Sequence, residues 1–112
     1  MRMWGINPEL LCKKHLLGEH GEIHKHRHNF VKQHSIAKRI SPVVQIAPEQ
    51  MQKRHNELAH EMLKRGYNHK SPYEQPDLSH LKNEERYAEI DINVSILDLV
   101  LRCDECAKNL KR

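Results

Sequence analysis

An all-α fold is what this sequence predicts, as a single compact domain of three main helices with irregular connectors. Apolar residues recur at helical spacing in three separate stretches of the chain. Each stretch follows a proline or a capping side chain, which are the residue types that favour a helix start. The length of 112 residues corresponds to one domain, which we assign to residues 1–112.

The first helix is expected to begin at Asn7-Pro8-Glu9, where a capping side chain, a proline and an acid follow one another. Helical periodicity then continues to about Gln33. Gly18 and Gly21 weaken a helix by up to about 1 kcal/mol each relative to alanine, so one long helix and two shorter ones both fit the pattern. The stripe expected to be buried contains Cys12, Leu16, Ile23 and Phe30.

The second helix is predicted to follow a connector at residues 35–47, whose apolar end is extended or partly buried. Pro48-Glu49 opens this helix, and Gly66 ends it after Lys64-Arg65. Its apolar face is formed by Met51, His55, Leu58 and Met62.

The remaining chain is expected to hold a polar surface loop and a third helix. Residues 67–91 contain Pro72 and Pro76 and read as a loop, with a short helical turn near residues 82–87. The third helix starts near residues 93–95, where Ser95 and Asp98 resemble a capping box. Its apolar stripe contains Ile96, Val100, Cys103, Ala107 and Leu110.

The charge of the chain favours a polyanionic partner. The formal net charge is +4 with histidine neutral, and ten histidines add positive charge as the pH falls. No apolar run approaches the roughly 20 residues of a membrane span, and the N-terminus lacks the apolar stretch of a signal peptide. An odd number of cysteines does not indicate a secreted disulfide framework, so we expect a cytoplasmic protein without a membrane partner.

Two further faces of the first helix carry polar residues. One, beside the apolar stripe, holds His15, Glu19, Glu22 and His26; the other, which we call the basic face, holds Lys14, Gly18, Gly21, Lys25, His28 and Lys32. Solvation of an exposed helix explains most such patterns. The two glycines favour a second interpretation, in which a phosphate or sugar approaches the helix backbone.

Metal binding is the weaker interpretation of the cysteines and histidines. Cys103-x-x-Cys106 could be half of a zinc site, but Cys12 and a histidine complete it only if the fold brings them together. The same spacing is ordinary on a helix, and His24 and His28, one turn apart, fit a solvated face. We therefore expect no metal and no cofactor.

Two segments carry a resemblance to a known family. The first is residues 14–25, Lys-His-Leu-Leu-Gly-Glu-His-Gly-Glu-Ile-His-Lys, which continues through residues 30–34 and 38–42. The second comprises residues 54–58 and 61–68. In this order they resemble the phage pyrimidine-dimer DNA glycosylase/AP lyase, or phage-type endonuclease V. The resemblance covers residues 1 to about 70, lacks about ten residues of the family's connector, and leaves 71–112 as a divergent loop and C-terminal helix.

The resemblance implies an all-α enzyme whose nucleophile is the N-terminal α-amine and whose essential carboxylate falls on Glu22. Since Arg2 is bulky, we expect Met1 to be retained and to supply the amine. The family has an arginine where this chain has Gly21, and its aromatic, basic C-terminal tail is missing here. With the basic face included, the expected DNA or phosphate contacts are Arg2, His15, Gly18, Gly21, Lys25 and Lys32.

The function implied by the resemblance is DNA repair. The enzyme would be a DNA glycosylase with AP lyase activity, acting as an endonuclease on double-stranded damaged DNA through a Schiff base and β-elimination. Its lesion would be a pyrimidine dimer or a related lesion or modified base, and we expect a monomer in a bacterial or phage-infected cell. The alternative is a non-catalytic, basic helical DNA-binding protein or regulator, such as a decayed glycosylase.

Overall fold

A computed structural model describes residues 3–69 and 72–110 of the chain. Helices form throughout this part, which contains no strand, so the predicted all-α class is confirmed. The three longest helices lie where the three main helices were predicted, and shorter ones fill the connectors. The helices are α1 Lys13–Val31, α2 Ala37–Ile40, α3 Met51–Lys64, α4 Asn83–Arg86, α5 Ile92–Arg102 and α6 Asp104–Leu110.

The long helix α1 packs against α3 and forms the centre of the fold. It runs without a break through Gly18 and Gly21, which decides between the two interpretations of that segment. All four residues of its predicted apolar stripe are buried. The predicted start at Asn7 is wrong, because Pro8–Leu10 forms a separate 3₁₀ turn and the extended backbone of Leu11 divides this turn from α1.

Helix α3 follows the prediction closely. A 3₁₀ turn at Pro48–Gln50 leads into it, and its four predicted apolar positions are all buried. Gly66 has a φ of +88°, which glycine adopts without strain. The Gly66 amide donates to the carbonyl of Leu63 at 3.0 Å, and the Tyr67 amide donates to that of Met62 at 2.9 Å. These two bonds are the glycine-dependent helix end that the sequence indicates.

Part of the segment after α3 is buried, although the sequence predicts a surface loop there. Tyr73 and Leu78 are buried in the core, and the Tyr73 hydroxyl lies 3.7 Å from the sulfur of Met51. The prediction of a surface loop is therefore wrong at these two positions, where apolar contact with α3 outweighs the polar character of their neighbours. Helix α4 confirms the predicted helical turn.

The third predicted helix is two helices. Helix α5 is capped by Asp91, whose carboxylate accepts from the amides of Asn93 at 3.0 Å and Val94 at 3.3 Å. Ser95 is buried inside α5, so the predicted capping pair is wrong. The backbone becomes extended at Cys103, which ends α5 and lets α6 turn back toward residues 8–12.

The connector between α1 and α3 contributes Ile36, Ile46 and Ala47 to the core. It contains a cis peptide bond between Ser41 and Pro42. None of the helices in the described ranges is long and apolar enough to cross a membrane.

Candidate active site

Glu22 and His26 lie one turn apart on α1, at the edge of the core. The Glu22 side chain is 18% exposed and that of His26 is 3% exposed, with 3.5 Å between the carboxylate and the imidazole Nε2. Burial lowers the pKa of His26; Glu22 opposes this, whereas Arg39 and Lys25 lower it further. The site therefore combines a partly accessible carboxylate with a buried imidazole whose pKa is lowered.

The beginning of the described chain is tied to the same neighbourhood. The Met3 amide donates to the carbonyl of Gln45 at 2.8 Å. Arg39, which acts electrostatically on His26, donates to the Gln45 side chain at 3.1 Å and accepts from its amide at 2.7 Å. Met1 and Arg2, predicted as nucleophile and phosphate contact, lie outside the described residues.

An ion pair that the sequence did not reveal fixes this arrangement. Arg54 on α3 donates two hydrogen bonds to the carboxylate of Glu19 on α1, at 2.6 and 2.9 Å, and both side chains are buried. A third bond of 2.6 Å runs from Arg54 to the carbonyl of Ile6. One guanidinium thus holds α1, α3 and the N-terminal segment together. The only sequence signal was the position of Glu19 beside the apolar stripe.

The basic face of α1 points away from the core. Lys14, Lys25, His28 and Lys32 are exposed, whereas Gly18 is half-buried. A Cβ added at Gly21 would meet no atom within 4 Å, so the backbone there is open to a ligand. All members of this face except Gly18 are exposed, and its contact with DNA stays a prediction.

His15 lies in a different environment from the basic face. Its Nδ1 is 3.1 Å from the sulfur of Cys12 and 3.6 Å from that of Cys106, and its ring makes an edge contact with Trp4. Only Nε2 therefore remains for the predicted DNA contact, which stays a prediction.

Three cysteines and His15 come together where α1 begins and α5 ends. We call these four residues the cysteine cluster: Cys12, His15, Cys103 and Cys106. The Cys12 and Cys103 sulfurs are 3.8 Å apart. Burial raises the pKa of the Cys106 thiol to about 12. The fold thus supplies the two partners that the Cys103-x-x-Cys106 pair needs for a zinc site.

Four histidines form a second group, on the opposite side of α1 from Glu22. We call them the histidine cluster: His20, His24, His55 and His69. Their Nε2 atoms lie 3.0 Å apart for His69 and His20, 3.2 Å for His20 and His55, and 3.1 Å for His55 and His24. Sequence reasoning paired His24 with His28 instead, because residues from α3 and the following segment cannot be located by spacing along α1.

Comparison with known proteins identifies the family. The family model described as pyrimidine dimer DNA glycosylase matches residues 1–75, about two thirds of the chain. The chain belongs to this family. No curated protein and no solved structure matches it.

Membership in the pyrimidine dimer DNA glycosylase family confirms the resemblance seen in the sequence and makes DNA the substrate to consider. The matched region includes α1, α2 and α3, and therefore both Glu22 and the Glu19–Arg54 pair. Helices α4, α5 and α6 lie beyond it.

Proposed function

We propose that this protein excises pyrimidine dimers or a related lesion from double-stranded DNA and then cuts the strand, with the α-amine of Met1 as nucleophile and Glu22 as the essential carboxylate. The observation that carries the proposal is the setting of Glu22. Its carboxylate is partly exposed beside the buried imidazole of His26, whose pKa is lowered, on the helix that also presents the exposed basic face.

An α-amine suits this chemistry because its ordinary pKa of about 7.7–8.0 leaves a useful neutral fraction near neutral pH. The neutral nitrogen attacks C1′ of the damaged nucleotide, and the bond from C1′ to the base breaks. Loss of a proton from nitrogen and opening of the sugar ring give a Schiff base. Removal of a proton from C2′ then expels the 3′ phosphate, which is the lyase step.

Glu22 has two roles in this sequence. Its negative charge stabilises the cationic sugar that develops as the base departs, and its oxygens move protons during ring opening and elimination. His26 is its buried neighbour: Nε2 of His26 has no hydrogen-bond partner among the described residues and lies 3.5 Å from the Glu22 carboxylate, and the Asn29 side chain lies 3.5 Å from Nδ1. We therefore propose His26 as a positioning residue.

The described start of the chain is connected to the neighbourhood of Glu22. Met3 is held to Gln45, which is hydrogen-bonded to the Arg39 that acts on His26. Met1 precedes Met3 by two positions, and two residues span at most about 7 Å. In this proposal, that short span lets the amine of Met1 reach the carboxylate of Glu22.

The basic face supplies DNA binding in this proposal. Lys25 and Lys32 are exposed cations that would neutralise phosphates, and Gly21 would admit the sugar–phosphate backbone close to α1. Such contacts position the duplex without reading its sequence, which suits an enzyme that searches for damage.

Borohydride trapping tests the mechanism, because reduction of a Schiff base joins protein and DNA covalently. Duplexes containing a pyrimidine dimer or an abasic site should give a trapped complex with the native N-terminus. One extra residue before Met1 should prevent trapping, because the nucleophilic nitrogen then becomes an amide.

Glu22→Gln should abolish strand cleavage and retain DNA binding. Glu84→Gln, which alters an exposed carboxylate on α4, is the matched control and should cleave normally. Full cleavage by the Glu22→Gln variant would contradict the proposed mechanism. Salt-sensitive binding without any trapping by the native chain would instead support a non-catalytic DNA-binding protein.

A further inference from the structure

Two separations in the cysteine cluster match those of a tetrahedral zinc site, and a third is shorter. Zinc bonds of about 2.3 Å to sulfur and 2.0–2.1 Å to nitrogen place two thiolates about 3.8 Å apart, and a thiolate and an imidazole nitrogen about 3.6 Å apart. The sulfurs of Cys12 and Cys103 are 3.8 Å apart. The Cys106 sulfur lies 3.6 Å from the His15 nitrogen, and the Cys12 sulfur lies 3.1 Å from it.

Backbone amides point at two of these sulfurs. The Cys12 amide donates to the sulfur of Cys106 at 3.3 Å, and the Cys106 amide donates to the sulfur of Cys103 at 3.5 Å. These two hydrogen bonds connect the sulfurs to the backbone at the start of α1 and of α6. They also orient the sulfurs as second-shell contacts do in metal sites.

Access to the cluster is available from one side. Cys12 and Cys106 are buried, whereas Cys103 is half-buried and borders, with Cys12, an open concavity of about 560 Å³. A metal ion can therefore enter from solvent and be held on its inner side by buried ligands.

A disulfide explains the cluster less well. A disulfide would bring two sulfurs to about 2.05 Å and would leave the third thiol and His15 without a role. All three cysteines here are free, and all three contact one another or the same imidazole. Three thiols and one imidazole nitrogen within 4.8 Å form a complete ligand set for zinc.

We propose that the chain binds a structural zinc ion through Cys12, His15, Cys103 and Cys106. The ion joins the start of α1 to the junction of α5 and α6, and so attaches the helices beyond residue 75 to the part that the family model matches. Four protein ligands leave no open position for substrate. His15 precedes Glu22 by seven residues, about 10 Å along the helix, so the ion lies outside the proposed reaction centre.

Cobalt substitution and metal counting test this proposal on the full chain. Cobalt(II) in a tetrahedral thiolate site absorbs strongly in the visible range, and zinc should displace it stoichiometrically. The double variant Cys103→Ser/Cys106→Ser should not show this absorption. Native mass spectrometry should find one zinc ion fewer per chain in this variant than in the wild type. Zinc affinity should fall by more than the roughly 10–100-fold that loss of a second-shell partner causes.

Two further variants cover the case in which the double serine variant does not fold. His15→Cys retains four ligands, so it should keep the zinc and add thiolate character to the cobalt spectrum. His60→Gln, an exposed histidine on α3, should change neither metal content nor spectrum. A disulfide between Cys12 and Cys103 in the purified protein would overturn the proposal. An unchanged zinc content in the Cys103→Ser/Cys106→Ser variant would overturn it as well.

The histidine cluster carries a second inference on separate grounds. Each Nε2 has either one proton or one lone pair, so the three successive contacts among His69, His20, His55 and His24 cannot all be hydrogen bonds. The Nδ1 of His55 lies 3.1 Å from Oδ1 of Asn56, an oxygen that only accepts, so Nδ1 carries the proton. The neutral ring then presents the Nε2 lone pair to the centre of the cluster.

We infer that the histidine cluster binds a second metal ion, a divalent ion of the first transition row. Zinc is the ion used to test this inference. Imidazole nitrogens bind such ions, and four within 4.8 Å form a closed set. His20 and His24 are each about 160° around α1 from Glu22, so this ion would support packing of α1 on α3 rather than catalysis.

Metal stoichiometry separates the two sites. The full chain should retain two zinc ions after dialysis, and His24→Gln should retain one while its cobalt–thiolate absorption is unchanged. His28→Gln, an exposed neighbour on the same helix, is the matched control and should retain two. One zinc per wild-type chain, lost only with the cysteine ligands, would overturn the second site and leave the first intact.

Discussion

Arg54 concentrates three hydrogen bonds at one guanidinium in the interior of the protein. Its partners are the Glu19 carboxylate and the Ile6 carbonyl, and they come from two different parts of the chain. Removing one member of such a buried pair leaves a charge that water cannot reach. At this residue, the packing of two helices and the path of the N-terminal segment depend on the same group.

Arg54→Met should therefore destabilise the fold by about 3–5 kcal/mol, the usual cost of breaking a buried pair. Urea unfolding followed by circular dichroism measures the change. Lys64→Met, which breaks the exposed pair of Glu9 and Lys64, is the control and should have little effect. Equal effects of the two substitutions would contradict a structural role for Arg54.

His26→Phe tests whether His26 orients Glu22. The substitution keeps an aromatic ring in the buried position and removes the Nε2 atom that lies 3.5 Å from the carboxylate. Single-turnover cleavage of dimer-containing DNA should slow by roughly 10–100-fold, because small displacements of reacting groups have effects of this size. DNA affinity and melting temperature should change little. An unchanged cleavage rate would remove His26 from the mechanism.

At the scale of a helix, α1 carries three roles on three faces. Its apolar stripe builds the core, its basic face is exposed, and the face with Glu22 borders the core. A mid-helix glycine on the exposed face has no packing reason in this fold, because space around Gly21 is open. In the proposed function, the approach of DNA to the bare backbone offsets the cost of this glycine to the helix.

Gly21→Ala should separate stability from DNA binding. The variant should be more stable by about 0.5–1 kcal/mol, since alanine is the better helix former and nothing obstructs its Cβ. Its affinity for duplex DNA should fall, measured by fluorescence anisotropy. Gly66→Ala provides the contrast: it should lose stability because of the positive φ. A gain in both stability and affinity at Gly21 would argue against backbone approach.

The lysines of the basic face should act through charge alone. Lys25→Gln and Lys32→Gln should each lower the slope of log affinity against log salt by about 1, as expected for the loss of one phosphate contact. Lys82→Gln, an exposed lysine just before α4, is the control and should leave the slope unchanged. Identical slopes in all three variants would place the DNA on another surface.

At the scale of the whole molecule, the proposed zinc sites predict that stability depends on metal. Binding to the folded state alone stabilises it, so removing the ions with a chelator should lower the melting temperature. We expect at least about 10 °C, since each kcal/mol corresponds to about 4–8 °C in a domain near this size. Scanning fluorimetry with and without excess zinc measures the effect, and an unchanged melting temperature would contradict structural ions.

The sequence predicts well what is local in the chain. The spacing of Leu16, Ile23 and Phe30 alone predicts which face of α1 is buried. The residue type of Gly66 predicts where α3 ends. The same reasoning placed Glu22 at the border of the core.

The sequence alone does not predict contacts between residues that are far apart in the chain. Arg54 is 35 residues from Glu19, and Cys106 is 94 residues from Cys12. No period along a helix encodes such pairs, because they depend on how the helices cross. For the same reason, the sequence predicts a helix through Cys103, where the backbone is in fact extended. The spacing of Cys103 continues the apolar stripe of α5, but its sulfur contacts Cys12, just before α1.

The contact between Cys12 and Cys106 also has a consequence during synthesis. At translation rates of about 5–20 residues per second, the 94 residues that separate them take about 5–20 s to emerge. Throughout that interval the segment before α1 lacks its contacts with α6. Those contacts, together with the bond from Asn109 to the carbonyl of Leu10, therefore form late in synthesis, after α6 has been made.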